Sequence, residues 1–432
     1  MEEKLKNNLQ KFTPKNKYCV LLLIILTFYT IINLYYLITL GLFPPTEGDA
    51  YLYYSSALSI VNGHGFSYLG VPAATFPPGY PIFLSAIIYI FGQNVLFISI
   101  IQILLGYILI FLMVSIIKRY TKNIYLIALP PLLYVLNYKI MSFNSLTMTE
   151  SFSGFLIILI IYLLLLHVEK NNKITLILLS ALFGFLVITR PAYLYLFIPF
   201  EIILLILIAQ KKSWKLLVDI PISILILFII IFPVMKRGHD LFGGYKIVFQ
   251  GGGNLYCGTN VETDGLRSLS IDNHIYTERE EELTFFPEEI FRGIKGKRIN
   301  EKDDMLKDAA LKNIYNNGFS AVPLYLKNFS RVMFGYPYHK PFWERQYVLI
   351  YYYFMGIMCV LAFMVSLFCI IKYKAFKDIF ISALVLFALY NMMFHFLAAF
   401  EPRYGFTTYI IIYTIIPFGL CKISIPNSKN MR

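Results

Sequence analysis

Tyr80-Pro81-Ile82-Phe83-Leu84-Ser85-Ala86-Ile87-Ile88-Tyr89-Ile90-Phe91-Gly92 decides how the rest of the chain is threaded. The run is apolar, yet well short of the roughly 20 residues that a helix needs to cross a bilayer. Counting it as a span would also invert every later loop and place the basic ones outside. It reads instead as a helix lying in the outer interface or dipping into it. Residues 50–61 read the same way, because Tyr53, Ala57, Ile60 and Val61 share one face at helical spacing.

Outward from this stretch the chain is apolar almost throughout. Of 432 residues, 58% are hydrophobic and 15% charged, against about 25% charged in a soluble domain. Roughly ten runs have spanning character, at 18–43, 95–117, 123–138, 150–168, 173–189, 192–209, 215–234, 347–371, 377–399 and 405–422. The first is too long for a signal-peptide core and lacks a small-residue cleavage site, so it reads as a retained span. With the N-terminus inside, beside Lys4, Lys6, Lys11, Lys15 and Lys17, the loops alternate without conflict. Inner loops carry Lys118, Arg119 and Lys122; Lys170 and Lys173; Lys211, Lys212 and Lys215; Lys372, Lys374 and Lys377; the inner tail carries Lys422, Lys429 and Arg432. The short outer loops hold only Lys139, Arg190 and Arg403. This is the asymmetry of the positive-inside rule. It accounts for much of the net charge of +13, which is therefore no nucleic-acid signal.

The expected fold class is an all-α polytopic membrane protein. It has interfacial helices in the first outer loop and a small outer α/β-type region. Residues 1–234 form an N-terminal membrane module containing the first outer loop (44–92), 235–346 an extracytoplasmic region, and 347–432 the last membrane helices, with both termini cytoplasmic. The outer region reads as Gly-rich turn chemistry at Gln250-Gly251-Gly252-Gly253-Asn254, an acidic run from Glu278 to Glu282, and a helical stretch from about Glu301 to Asn316. The glycines lack a following Lys-Ser or Lys-Thr and are not a phosphate loop. Asn328-Phe329-Ser330 is a glycosylation sequon of a kind common by chance. The five cysteines offer neither a disulfide framework nor a Cys-rich metal site.

Charges at span ends carry the functional signal, because burying them is costly. Asp49, Glu150, Arg190, Glu401 and Arg403 all fall at outer ends. From Pro44 to Gly79 there is no Lys or Arg, and Glu47 and Asp49 are the only carboxylates. The chemistry these residues suggest is displacement at a phosphorylated centre. Asp49 suits the base; Arg190 and Arg403 suit a phosphate; Glu150 suits a second base, a metal ligand or an orienting partner for an arginine. His64, Tyr80 and Glu401 join the arginines as expected substrate contacts. Glu47, Asp49 and Glu150 are the candidate ligands of a divalent metal. Structural readings stand beside these. Asp49 can cap a helix beginning at Ala50, Glu150 can be an N-terminal helix charge, and each arginine can anchor a carboxylate, Glu401 serving Arg403. His64 between glycines can be a turn residue. Glu201, deep in the sixth span, is either functional or bonded to a neighbouring helix.

In order along the chain, Gly48-Asp49-Ala50, Asn62-Gly63-His64-Gly65-Phe66 and Phe76-Pro77-Pro78-Gly79-Tyr80-Pro81 resemble the membrane glycosyltransferases of the C-type fold. That superfamily includes the protein O-mannosyltransferases and the lipid A aminoarabinose transferases. Met148-Thr149-Glu150-Ser151-Phe152, Thr189-Arg190-Pro191, Asn254-Leu255-Tyr256 and Glu401-Pro402-Arg403-Tyr404 resemble recurring pieces of the same group. The resemblance implies a polyprenyl-phosphate sugar donor and inverting transfer at the outer face to an envelope lipid, glycan or protein. It places the family's base at Asp49 and its second acidic position at Glu150. Some relatives carry two adjacent acids in the first loop. Here Gly48 separates Glu47 from Asp49, which leaves metal use open. Two other readings remain at this stage, a transporter or flippase of a lipid-linked substrate and an envelope polysaccharide polymerase or ligase. Transport predicts polar groups through the midplane, where Glu201 is nearly alone.

Overall fold

Asparagines set several helix starts. Asn94, Asn123 and Asn172 each accept the backbone N–H two residues on, at 3.0, 3.0 and 2.8 Å, satisfying donors that a helix start leaves open. The computed structural model describes residues 14–211, 217–261, 293–294, 296–334, 347–397 and 402–420. The helices are α1 (Pro14–Leu40), α2 (Gly48–Val61), α3 (Gly79–Phe91), α4 (Val95–Ile117), α5 (Ile124–Leu136), α6 (Tyr138–Ser142), α7 (Thr149–Lys170), α8 (Lys173–Thr189), α9 (Phe197–Lys211), α10 (Asp219–Phe242), α11 (Gly251–Thr259), α12 (Ile299–Asn317), α13 (Val322–Phe334), α14 (Tyr347–Lys372), α15 (Ile379–Leu397) and α16 (Gly405–Leu420). Two short antiparallel strands, β1 (Ser67–Tyr68) and β2 (Val71–Pro72), pair Ser67 with Pro72 and Tyr68 with Val71.

The protein is a multi-pass, all-α membrane protein. Among the described residues, six helices are long and apolar enough to cross a bilayer. The remaining expected spans are shorter apolar helices, α5, α8, α15 and α16. Residues 80–92 and 50–61 are helical, as α3 and α2, and these two helices pack on each other. α7 and α16 run through the core and bury most of their residues, while α1 and α10 expose apolar side chains along their lengths.

Close approach fixes the first loop on the bundle. A Cβ at Gly79 would lie 2.4 Å from Thr189 Oγ1 and 2.7 Å from the Thr189 amide, so the start of α3 rests directly on the end of α8. Phe83 stacks on Phe152 of α7 with centroids 4.0 Å apart. Arg237 of α10 donates to the carbonyls of Ala73 (2.9 Å) and Phe66 (2.6 Å) and covers the Phe66 ring. The residues that flank the hairpin are thereby tied to α10.

Beyond α10 the regular elements among the described residues are helices, so the strand content expected of residues 235–346 is not seen there. The Gly251–Gly253 run is not a turn but the start of α11. Glycine serves contact rather than bending: a Cβ at Gly252 would overlap the Asp303 carbonyl at 1.9 Å. The Gly252 amide donates to Asp303 Oδ1 at 2.7 Å, and Lys246 bridges Asp303 and Asp304 at 2.8 and 2.7 Å. The sequon asparagine, Asn328, is buried and donates through Nδ2 to the Gly258 carbonyl at 2.8 Å, which withholds the nitrogen a glycan would need. The acidic run from Glu278 to Glu282 lies outside the described residues.

Candidate active site

Four elements deliver charge to one end of the bundle. Gly48 opens α2 at φ +65°, a conformation glycine enters without steric cost. Glu47 occupies the N-cap position, is exposed and makes no capping bond. Asp49 therefore falls in the first turn rather than capping a helix that begins at Ala50; there the partial positive charge of the helix end favours a carboxylate. Glu150 stands in the first turn of α7 for the same reason. Arg190 ends α8: Pro191 holds the preceding residue out of helical geometry, and Arg190 is extended at φ −141°. Arg403 lies on the 3₁₀ turn Pro402–Tyr404 that leads into α16.

The tertiary structure links these four side chains in one line. Asp49 Oδ2 pairs with Arg403 Nη2. Arg403 Nε lies 3.9 Å from Glu150 Oε1, and Arg190 Nη2 reaches the same oxygen at 2.7 Å. Arg190 Nε donates to Thr149 Oγ1 at 3.2 Å. Both guanidiniums lie over the Tyr404 ring, 5.7 Å away for Arg190 and 5.6 Å for Arg403, within cation–π range. Arg403 Nη1 approaches Met148 Sδ at 3.8 Å. Exposure grades along the line: Glu150 is 1% exposed at its side chain, Arg190 14%, Arg403 15% and Asp49 34%. The buried carboxylate thus holds the arginines from below, and Asp49 sits at the open edge.

Two phenols lie beneath. Tyr53 and Tyr80 meet edge to face at 5.4 Å. Burial, then the Asp49 carboxylate, raises Tyr53 far above the ordinary phenol range. Burial, then Glu150, does the same to Tyr80. Both therefore stay protonated. Tyr80, expected to touch substrate, is completely buried and donates to Gln102 Oε1 at 2.8 Å; it supports the site from within. His64 is exposed in a turn between Gly63 and Gly65, both at positive φ, and its side chain makes no hydrogen bond among the described residues. Glu401 lies outside the described residues. Glu201 accepts from Ser223 of α10 at 2.6 Å, which is the helix-to-helix reading of that residue.

Sequence reasoning missed Thr149, Tyr404, Gln102 and Arg237. Thr149 and Tyr404 adjoin Glu150 and Arg403, a signal that was there to use. Gln102 sits inside an apolar helix, where only its polarity marks it, and Arg237 is one of several polar residues, Lys236 to Asp240, near the end of α10, where nothing singles it out. As a metal site the acidic residues fit poorly. Asp49 and Glu150 already neutralise guanidiniums, and a cation between them would face both arginine charges. Among the described residues no group of three His, Cys, Asp or Glu forms a cage.

Residues 75–236 match the family model described as dolichyl-phosphate-mannose-protein mannosyltransferase. The chain is similar to the C-type-fold membrane glycosyltransferases. The matched segment contains Tyr80, Glu150 and Arg190, while Asp49 and Arg403 lie outside it. Among solved structures, the archaeal oligosaccharyltransferase AglB from Archaeoglobus fulgidus, in complex with an inhibitory peptide and a dolichol-phosphate, superposes with a TM-score of 0.52 at 13% identity. The match covers 91% of this chain and 50% of AglB, and at that identity it is a likeness of fold. ArnT from Cupriavidus metallidurans matches in its apo state (TM-score 0.40, 12% identity) and bound to undecaprenyl phosphate (0.41, 14%). Each ArnT match covers 91% of this chain and 77% of the other. Curated protein sequences give no match.

Proposed function

We propose that the protein is a membrane glycosyltransferase that moves a sugar from a polyprenyl-phosphate donor to a hydroxyl of an extracytoplasmic acceptor, with inversion at the sugar carbon. The observation that carries this reading is the Asp49–Arg403–Glu150–Arg190 line at one end of the bundle. The matched family's description, which names a dolichyl-phosphate mannose donor, supports the donor class.

The line is electrically balanced, with two carboxylates and two guanidiniums. A donor phosphate entering it competes with a carboxylate, and Asp49 is the exposed one. The phosphate takes Arg403 and Arg190, for which guanidinium forks are well suited, and Asp49 is released at the edge where an acceptor hydroxyl arrives. Asp49 accepts the hydroxyl proton. The hydroxyl oxygen attacks the sugar carbon opposite the phosphate, the carbon–oxygen bond to phosphate breaks, and the electron pair leaves on the phosphate oxygen. The arginines stabilise that charge as it develops. Glu150 stays buried and offsets the repulsion between the two guanidiniums it holds.

The first test incubates purified protein with a panel of radiolabelled polyprenyl-phosphate sugars, comparing wild type with Asp49→Asn. Slow release of free sugar, or transfer to added acceptors, that is absent in the variant supports the reading and names the donor. Absence of binding and turnover with every donor overturns it and moves the question to flux measurements in liposomes.

A further inference from the structure

A glutamine in a membrane helix is expensive unless its amide is satisfied. Gln102 is wholly buried near the start of α4, and its amide joins two other elements. Oε1 accepts from the Tyr80 hydroxyl at 2.8 Å. Nε2 donates to the carbonyls of Leu146 at 2.8 Å and Asn144 at 3.3 Å. The two carbonyls fix which way the amide faces, since a flipped amide would oppose oxygen to oxygen.

The carbonyls belong to a strap, residues 143–148, that leaves α6 through single-turn bonds from the Phe143, Asn144 and Ser145 amides to the Ile140, Met141 and Ser142 carbonyls and then runs on to α7. The strap is held from other sides as well. Asn144 Nδ2 donates to Asn33 Oδ1 (3.0 Å) and Tyr29 Oη (3.2 Å) of α1, Ser99 donates to the Ser145 carbonyl (3.2 Å), and Ser151 donates to Asn144 Oδ1 (2.8 Å). The Leu146 carbonyl also receives the Met148 amide at 2.8 Å, so the atom gripped by Gln102 sets the direction of Met148. Met148, Thr149 and Glu150 are three consecutive residues that touch the two arginines through Sδ, Oγ1 and Oε1.

We propose that Gln102 is a positioning residue: by holding the strap through Leu146 and Asn144, and answering to α3 through Tyr80, it sets the spacing of the Arg190 and Arg403 guanidiniums for the donor phosphate. The inference rests on the proposed phosphate role of those arginines. It extends the site to a residue that touches neither arginine.

The test compares wild type, Gln102→Met, Gln102→Asn, Tyr80→Phe and Arg190→Ala. Gln102→Met keeps length and loses the amide. Gln102→Asn keeps the amide but cannot span from Tyr80 to the strap, and it carries the test if Gln102→Met fails to fold. Readouts are the affinity for a short-chain polyprenyl phosphate in detergent, KM and kcat for the donor, and the thermal midpoint. Each Gln102 variant is expected to bind the polyprenyl phosphate about tenfold more weakly, a loss of roughly 1.4 kcal/mol, with KM rising more than kcat falls. Tyr80→Phe, which leaves the strap bonds in place, is expected to shift affinity by less. A Gln102 variant with a lowered midpoint but wild-type affinity well below that midpoint overturns the proposal, because a merely structural residue behaves that way. If Arg190→Ala also binds as wild type, the phosphate reading itself has failed. If only Arg190→Ala is weakened, the arginine reading stands and the Gln102 proposal falls.

Discussion

Asp49→Asn separates the chemistry from the scaffold most sharply. The side chain keeps its shape and loses its charge. Its ion pair with Arg403 is about one-third exposed on the aspartate side, and such pairs contribute roughly 0.2–1 kcal/mol to folding. The thermal midpoint in detergent should therefore fall by only a few degrees. On the proposed phosphate role, the Arg403 guanidinium loses a competitor, so polyprenyl-phosphate affinity should hold or tighten. Turnover carries the whole effect. A positioned general base is worth about 10²–10⁴ in rate, or roughly 2.7–5.4 kcal/mol of barrier, so kcat should drop at least about a hundredfold. The assay pairs single-turnover transfer from a labelled donor with equilibrium binding of the sugar-free polyprenyl phosphate. A variant turning over within about threefold of wild type removes Asp49 as the base. Lost turnover together with binding more than about tenfold weaker makes Asp49 a holder of Arg403 instead.

Glu150→Gln removes the negative charge that both guanidiniums share; with the site 1% exposed there, we expect about 2–3 kcal/mol of lost stability, read as a lower denaturant midpoint. An unchanged midpoint would show that the arginines are held by other groups. Gly48→Ala forces a side chain into φ +65°, costing roughly 1–2 kcal/mol and turning Asp49 away, so activity should fall more than stability; wild-type behaviour would mean that the entry into α2 tolerates another path. Lys139, in α6, is buried, and burial pushes its ammonium from 10.5 down to about 7. The unfolded chain then holds a proton that the folded state gives up between about 7 and 10.5, so folding is penalised most below that window and the penalty fades as pH rises through it. Lys139→Met should raise the thermal midpoint, and by more at low pH than at high; an equal gain at both ends would sink the account.

Hydropathy and loop charge were enough to place the helices. Each expected span coincides with a helix, and the short run at 80–92 is the short helix α3, packed on α2. Both signals are local sums over contiguous residues, so they survive without tertiary knowledge. The same holds for the grouping of Asp49, Glu150, Arg190 and Arg403 at span ends, because topology alone sends alternate ends to one face. The Gly251–Gly253 run was misread because glycine permits both a turn and the close packing of two helices, and sequence does not say which demand is present. The burial of Tyr80 against Gln102 was not legible, because a phenol in a first loop looks the same whether it faces a ligand or a buried amide.

The sequence by itself determined a polytopic, predominantly helical membrane protein with two acids and two arginines at span ends, since these follow from apolar length, basic loops and the cost of burying charge. Only the tertiary structure decided who pairs with whom. Arg403 reaches Asp49 across a sequence separation of 354 residues, and Glu150 lies between both arginines because α7, α8 and the turn before α16 pack side by side. Gln102 meets the strap for the same reason. Such partners are chosen by how helices rotate and approach one another, which depends on side-chain fit along whole interfaces and leaves no periodicity in the chain to read.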